Sequence, residues 1–201
     1  NPTNVAAASN GEEIIVIWTG RVAAVSIDGT VSSRTLPLDG QMLFNPHLTW
    51  TGDDYLLLGN RGSFAEQELV SLHLDRAGQP IEEHFRPVTL TGVPVRMSDA
   101  AFSESHAYIV GSEISARRPV GVLLSTDGDV TVASVETAFE RDAAQTLPRA
   151  ATDGVDSLVV WREATSQYQA LRARLISPDG IAGGESIELS RISGFMGDHE
   201  V

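Results

Sequence analysis

The chain has 201 residues, 42% of them apolar, and a formal net charge of −13. That charge repels phosphate backbones and anionic lipid, which argues against nucleic acid or a membrane surface as partner. The absence of cysteine excludes disulfides, thiolate metal sites and nucleophilic thiol chemistry.

Read from its start, the sequence offers a short strand over Val5–Ser9, a turn at Asn10-Gly11, and the apolar run "IIVIW" ending at Trp18, seven residues after the glycine. A brief link "TGR" leads to a third strand, which closes on "SIDG" at Gly29, and "TVSSRTL" follows as a fourth. The same order then recurs. Gly52 is followed by "YLLLG" ending at Gly59, and "DRAG" ends at Gly78. Glu104 stands in the first glycine's place before "AYIVG", which ends at Gly111, and "STDG" ends at Gly128. Gly154 is followed by "SLVVW" ending at Trp161, and "SPDG" ends at Gly180. The second turns are 49, 50 and 52 residues apart. Pro46 and Pro148 each precede their first glycine by six residues.

Four units of roughly 50 residues therefore fill the chain, with repeats at 1–40, 41–95, 96–140 and 141–195. Each reads as four short strands, A to D. Asn-Gly and Asp-Gly suit tight hairpins because both central residues tolerate positive φ. A continuously apolar strand B is expected to be buried on both faces. A four-stranded sheet of that kind needs cover on both sides, and copies of itself supply it. The predicted fold class is therefore all-β: a β-propeller segment of four four-stranded antiparallel blades, either an arc of a larger propeller or a four-bladed ring. A pair of β-sandwiches would show a 100-residue period instead. The one helix-like passage is Val135–Gln145. An arc would leave an apolar blade face exposed at each end. The chain is expected to be a piece of something longer, because it starts at Asn1 and its tail "RISGFMGDHEV" reads as a connection to another unit.

The pattern "DGVDSLVVW…SPDG" resembles the tandem repeats of large secreted bacterial proteins, which run roughly as DGxxYLVVW followed by SxDG and are propeller-like. The resemblance spans all four units, best in the fourth. It implies a secreted, cell-surface or periplasmic location. A looser likeness is to the Asp-box of sialidase-type propellers. That motif spaces its Asp and Gly by one residue, whereas Asp28-Gly29, Asp127-Gly128 and Asp179-Gly180 are adjacent, so no catalytic residue is carried over.

Candidate chemistry is sparse. The B–C loops "NRGSFAEQE", "SEISARRP" and "REATSQYQ" vary, and binding residues collect on variable loops held by a rigid scaffold. This places a binding surface on Arg61, Phe64, Arg117, Arg118, Arg162 and Tyr168. The competing reading is that these are solvated loop residues. Trp18, Trp50 and Trp161 are expected in the packing between blades rather than stacked on sugar rings. The five histidines have no metal-ligand spacing, and His73 and His106 read as structural. The acids Glu12, Glu13, Asp53, Asp54, Asp153 and Asp156 flank A–B turns, where carboxylates support the turn. No pattern points to a catalytic residue, a metal or a cofactor.

Two functions follow. The first is a non-catalytic propeller scaffold or interaction module, partnered by further blades or domains of its parent chain and by protein or carbohydrate. The second is a fragment of a propeller enzyme acting on carbohydrate, a glycoside hydrolase or lyase. A cytosolic protein-interaction ring is a third, lesser option.

Overall fold

The structure is a computed structural model and describes residues 5–63, 66–88, 95–103, 106–113, 119–125, 131–136, 144–180 and 182–193. Among the described residues, sixteen strands form four antiparallel sheets, each of four strands in chain order. Sheet one holds β1 (Val5–Ser9), β2 (Glu13–Trp18), β3 (Arg21–Ser26) and β4 (Val31–Thr35). Sheet two holds β5 (Met42–Trp50), β6 (Tyr55–Gly62), β7 (Gln67–Leu74) and the two-residue β8 (Arg86–Pro87). Sheet three holds β9 (Val95–Phe102), β10 (His106–Glu113), β11 (Pro119–Ser125) and β12 (Thr131–Glu136). Sheet four holds β13 (Ala144–Thr152), β14 (Ser157–Ala164), β15 (Tyr168–Ile176) and β16 (Ala182–Ser193). No helix occurs among the described residues. The helix-like passage is corrected accordingly: Val135 and Glu136 end β12, Ala144 and Gln145 open β13, and 137–143 lie outside the described residues.

Hydrogen bonds at the turns display the repeat. In the first A–B turn, Asn10 Oδ1 accepts from the N–H groups of Glu12 and Glu13 at 2.9 and 2.8 Å, and Ser9 Oγ accepts from Gly11 N at 3.0 Å. In the last, Asp153 Oδ1 accepts from Val155 and Asp156, both at 2.9 Å, and Thr152 Oγ1 accepts from Gly154 N at 3.0 Å. The second turns match as well. Gly29, Gly78 and Gly180 each donate to the carbonyl three residues back, at 2.9, 2.8 and 2.9 Å. At these turns only the glycine takes positive φ, +84° at Gly29 and +79° at Gly180. The double-positive turn expected of Asp-Gly is thus replaced by an ordinary turn followed by a left-handed glycine. Aspartate contributes through its side chain: Asp28 Oδ1 accepts from Thr30 N at 2.8 Å. The two prolines also gain a reason. Pro46 and Pro148 sit where the A–B ladder slips, between Phe44 and His47 and between Thr146 and Arg149. A bulge tolerates a residue that cannot donate to the ladder.

The chain divides into two compact units, Asn1–Met97 with Ser125–Val132, and Ser98–Leu124 with Ala133–Val201. Counting from the first turn residue (Gly11, Gly52, Glu104 or Gly154) gives strand B a common register, and alternation sends odd and even offsets to opposite faces. In the first unit, Ile15 and Ile17 at +4 and +6 share a core with Tyr55 and Leu57 at +3 and +5, together with Val22, Val70, Leu72 and Leu74. In the second unit, Tyr108 and Val110 at +4 and +6 share a core with Val159 and Trp161 at +5 and +7, and with Leu123 and Ile176. Each pairing sets the even face of one strand B against the odd face of the next.

Burial on both faces of strand B is found in β6, where Tyr55, Leu56, Leu57 and Leu58 are all buried, and in β10, from Ala107 to Val110. In β2 and β14 it is not. Ile15 is fully buried while Ile14 is 47% exposed, and Val159 is buried while Leu158 is 40% exposed. The expectation for these two strands is therefore corrected: one face is covered and the other is open. Trp161 is in the core, but Trp18, at the same +7 position, lies on the open face of β2 and is only half-buried.

Candidate functional site

Of the six residues expected at a binding surface, Arg61, Arg162 and Tyr168 are among the described residues. Phe64, Arg117 and Arg118 lie outside the described residues. Arg61 belongs to the first unit, near the end of β6. Its Nη2 lies 2.6 Å from Glu68 Oε1 across the β6–β7 ladder, and its guanidinium stands 5.9 Å from the Phe85 ring centroid. Arg162 and Tyr168 belong to the second unit, on opposite faces of sheet four. Arg162 is paired in register with Leu171 on the open face, and it is exposed. Tyr168 shares the covered face with Glu163.

Around Tyr168 the chain builds its densest polar cluster among the described residues. Glu163 is only 2% exposed. Its Oε1 accepts from the Tyr168 hydroxyl at 2.7 Å and from Arg172 Nε at 3.0 Å. Arg172 Nη2 lies 3.7 Å from Glu188 Oε2, and Arg191 grips the Glu188 carboxylate through Nε and Nη2, the closer at 2.6 Å. The Arg191 guanidinium also lies 4.0 Å from the Tyr168 ring centroid. The hydrogen bond from Arg191 holds the Glu188 carboxyl below the usual range and raises Arg191 in return. The run of Glu, Arg, Glu and Arg sums to zero charge and ties β14, β15 and β16 together. It is a device for fastening an edge strand (β16) whose own apolar side chains are exposed. Sequence reasoning missed Glu163, Arg172, Glu188 and Arg191. The available signal was Glu163 itself, a carboxylate two residues past Trp161 at an offset destined for the covered face.

A second polar cluster holds the first A–B turn of sheet two. His73 Nδ1 is 2.8 Å from Asp54 Oδ2, Thr51 Oγ1 donates to Asp54 Oδ1 at 2.7 Å, and His73 N donates to Glu82 Oε2 at 3.0 Å. His73 is thus a strand residue with a structural partner, and His106 opens β10. Among the described residues, no group of three or more His, Asp or Glu side chains is placed to hold a metal ion. At the last A–B turn Asp153 acts as a turn former: its carboxylate accepts main-chain N–H groups, and those bonds, from Val155 first and Asp156 second, lower its carboxyl.

Buried amide chemistry appears once more, in the first unit. Asn60, at +8 in β6 and fully buried, donates from Nδ2 to Met97 O at 2.8 Å and accepts from Met97 N at 2.9 Å. Its side chain imitates a strand partner for β9. Asn45, in the bulge of β5, adds a 3.0 Å bond to the same carbonyl. In the second unit, Asp99 of β9 accepts from Ala150 N of β13 at 3.1 Å.

No family model and no curated protein matches the sequence. Solved structures do resemble it. A GH43 endo-arabinanase from Bacillus licheniformis is similar over 93% of this chain and 79% of its own, at 12% identity and a TM-score of 0.55. A neuraminidase-like protein of A/flat-faced bat/Peru is similar over 94% of this chain and 58% of its own, at 9% identity and a TM-score of 0.55. The β-propeller domain of Cps50 (Swd1) from Myceliophteria thermophila is similar over 96% of this chain and 75% of its own, at 10% identity and a TM-score of 0.50. At these identities the likeness concerns the fold, which is of the β-propeller type: four four-stranded antiparallel blades.

Proposed function

We propose that the chain is a non-catalytic propeller scaffold and interaction module of a secreted or surface-exposed bacterial protein, assembled with further blades. One observation carries the reading. Strand B positions that are buried in sheets two and three are open in sheets one and four, where Ile14 and Leu158 are 47% and 40% exposed. Contiguous apolar area of this kind marks an interaction surface in a folded protein. The polar residues support the same reading, because Asn60, Asp99, Glu163 and His73 bond to their own sheet or to a neighbouring strand. The secreted location rests on the resemblance of the turn motifs to repeats of secreted bacterial proteins.

The second reading, a fragment of a carbohydrate-active propeller enzyme, is favoured by the likeness to arabinanases. Incubation of the purified chain with linear arabinan separates the two. The scaffold reading predicts no reducing ends above the blank, and an environment-sensitive apolar dye that binds the wild type and loses signal in Leu171→Asp/Leu175→Asp. Release of arabinose or oligosaccharide would overturn it.

A further inference from the structure

The two open faces are of opposite kind. In both cores the even face of one strand B meets the odd face of the next: Ile15 and Ile17 against Tyr55 and Leu57, and Tyr108 and Val110 against Val159 and Trp161. Sheet one leaves open its odd face, with Ile14, Val16 and Trp18. Sheet four leaves open its even face, with Leu158 and Val160. Leu171 and Leu175 of β15 widen the even face, at 41% and 48% exposed, and Val5 and Val31 widen the odd one.

Resting on the scaffold reading, we infer that the even face of sheet four takes the odd face of sheet one from a second copy of this chain, so that the protein associates head to tail. The register supports it. Position +4 of sheet four would meet +3 and +5 of sheet one, the same offsets that meet in the first unit. Leu158 is the counterpart of Ile15, and Ile14 and Val16 are the counterparts of Tyr55 and Leu57. The contact continues an interface the chain already makes within itself. A head-to-tail contact closes into a ring or runs on as a filament.

The natural absence of cysteine makes the test clean. Chains carrying Ile14→Cys and chains carrying Leu158→Cys, on tags of different size, are mixed and treated with a short thiol–thiol cross-linker, since facing sheets lie about 10 Å apart. Far-UV circular dichroism verifies folding, and sedimentation reports the mass. The expected result is a mixed pair in several-fold excess over either like pair, with wild-type mass rising from 21.5 kDa as concentration increases. Three results overturn the inference. A monomer at all concentrations with no mixed pair does so. An excess of like pairs does so by making the contact symmetric. Bridging within a chain carrying both substitutions, at a dilution where no mixed pair forms, does so by placing the two faces together in one copy. Dye binding that persists without a mixed pair leaves the interaction faces standing and removes only the second copy. Loss of both removes the scaffold reading as well.

Discussion

β6 and β14 carry the same strand B at the same register and live in different surroundings. In β6, Leu56 and Leu58 on one face and Tyr55 and Leu57 on the other are buried, and Asn60 ends the run in a pair of bonds to Met97. In β14, Val159, Trp161 and Glu163 are buried while Leu158 and Arg162 face outward. A sequence repeat sets which residues are apolar, but cover sets which of them are core. The exposed leucines of sheet four are as hydrophobic as those of sheet two. What distinguishes them is that the described residues of the second unit leave that side exposed.

Substitution at matched positions sharpens that contrast. Leu56→Ala removes a fully buried side chain and should cost about 2–5 kcal/mol, as buried leucines do. Leu158→Ala, also at +4, should cost about 1 kcal/mol or less because much of the side chain already meets water. Urea unfolding of the two variants measures the gap, and equal costs would break the comparison. Next in size is Glu163→Ala. It leaves the Arg172 guanidinium without its closest carboxylate in a largely buried place, with an expected cost of about 3 kcal/mol. Loss of the Tyr168 hydroxyl in Tyr168→Phe should cost about 1 kcal/mol by the same assay.

Asn60→Ala orphans the N–H of Met97 and one acceptor bond at its carbonyl. It should cost about 1–3 kcal/mol, whereas Arg162→Ala, also at +8 but exposed, should stay within about 0.5 kcal/mol. The smallest effect concerns acid. The folded-state carboxyl of Asp153 is lowered by main-chain N–H groups. Its contribution is therefore fully present above the unfolded value, about pH 4, and is lost as pH falls through the lower folded value. Asn10 makes the same two bonds without a charge. Asp153→Asn should accordingly keep the turn and flatten the stability profile below about pH 4, read from urea midpoints at several pH values.

Much of the fold was legible because the turn chemistry is local. The spacing of Gly11, Gly52 and Gly154 and of the second turns placed four sheets of four strands, and Val5–Ser9 was placed to the residue. Pro46 and Pro148 were visible as a recurrence, but their bulge depends on pairing with strand B. The open faces of β2 and β14 were not legible strand by strand, since "IIVIW" and "SLVVW" look as buried as "YLLLG". The Glu163–Arg172–Glu188–Arg191 chain was hidden for a related reason. Its members come from three strands and meet only through the β14–β15 and β15–β16 registers, the second of which slips between Leu171 and Arg172. Arg162 and Tyr168 were read as neighbours on one loop, and the pleat puts them on opposite faces of the sheet.

The four strands B share one register and differ only in which face is covered. Thiol labelling of single-cysteine chains at high dilution measures that cover position by position. Labelling should be slow at Ile15→Cys, Leu56→Cys and Tyr108→Cys and fast at Leu158→Cys, all at +4. At +5 it should be fast at Val16→Cys and slow at Leu57→Cys, Ile109→Cys and Val159→Cys. Uniform rates across either set, or a fast inner position with a slow outer one, would contradict that pattern of cover.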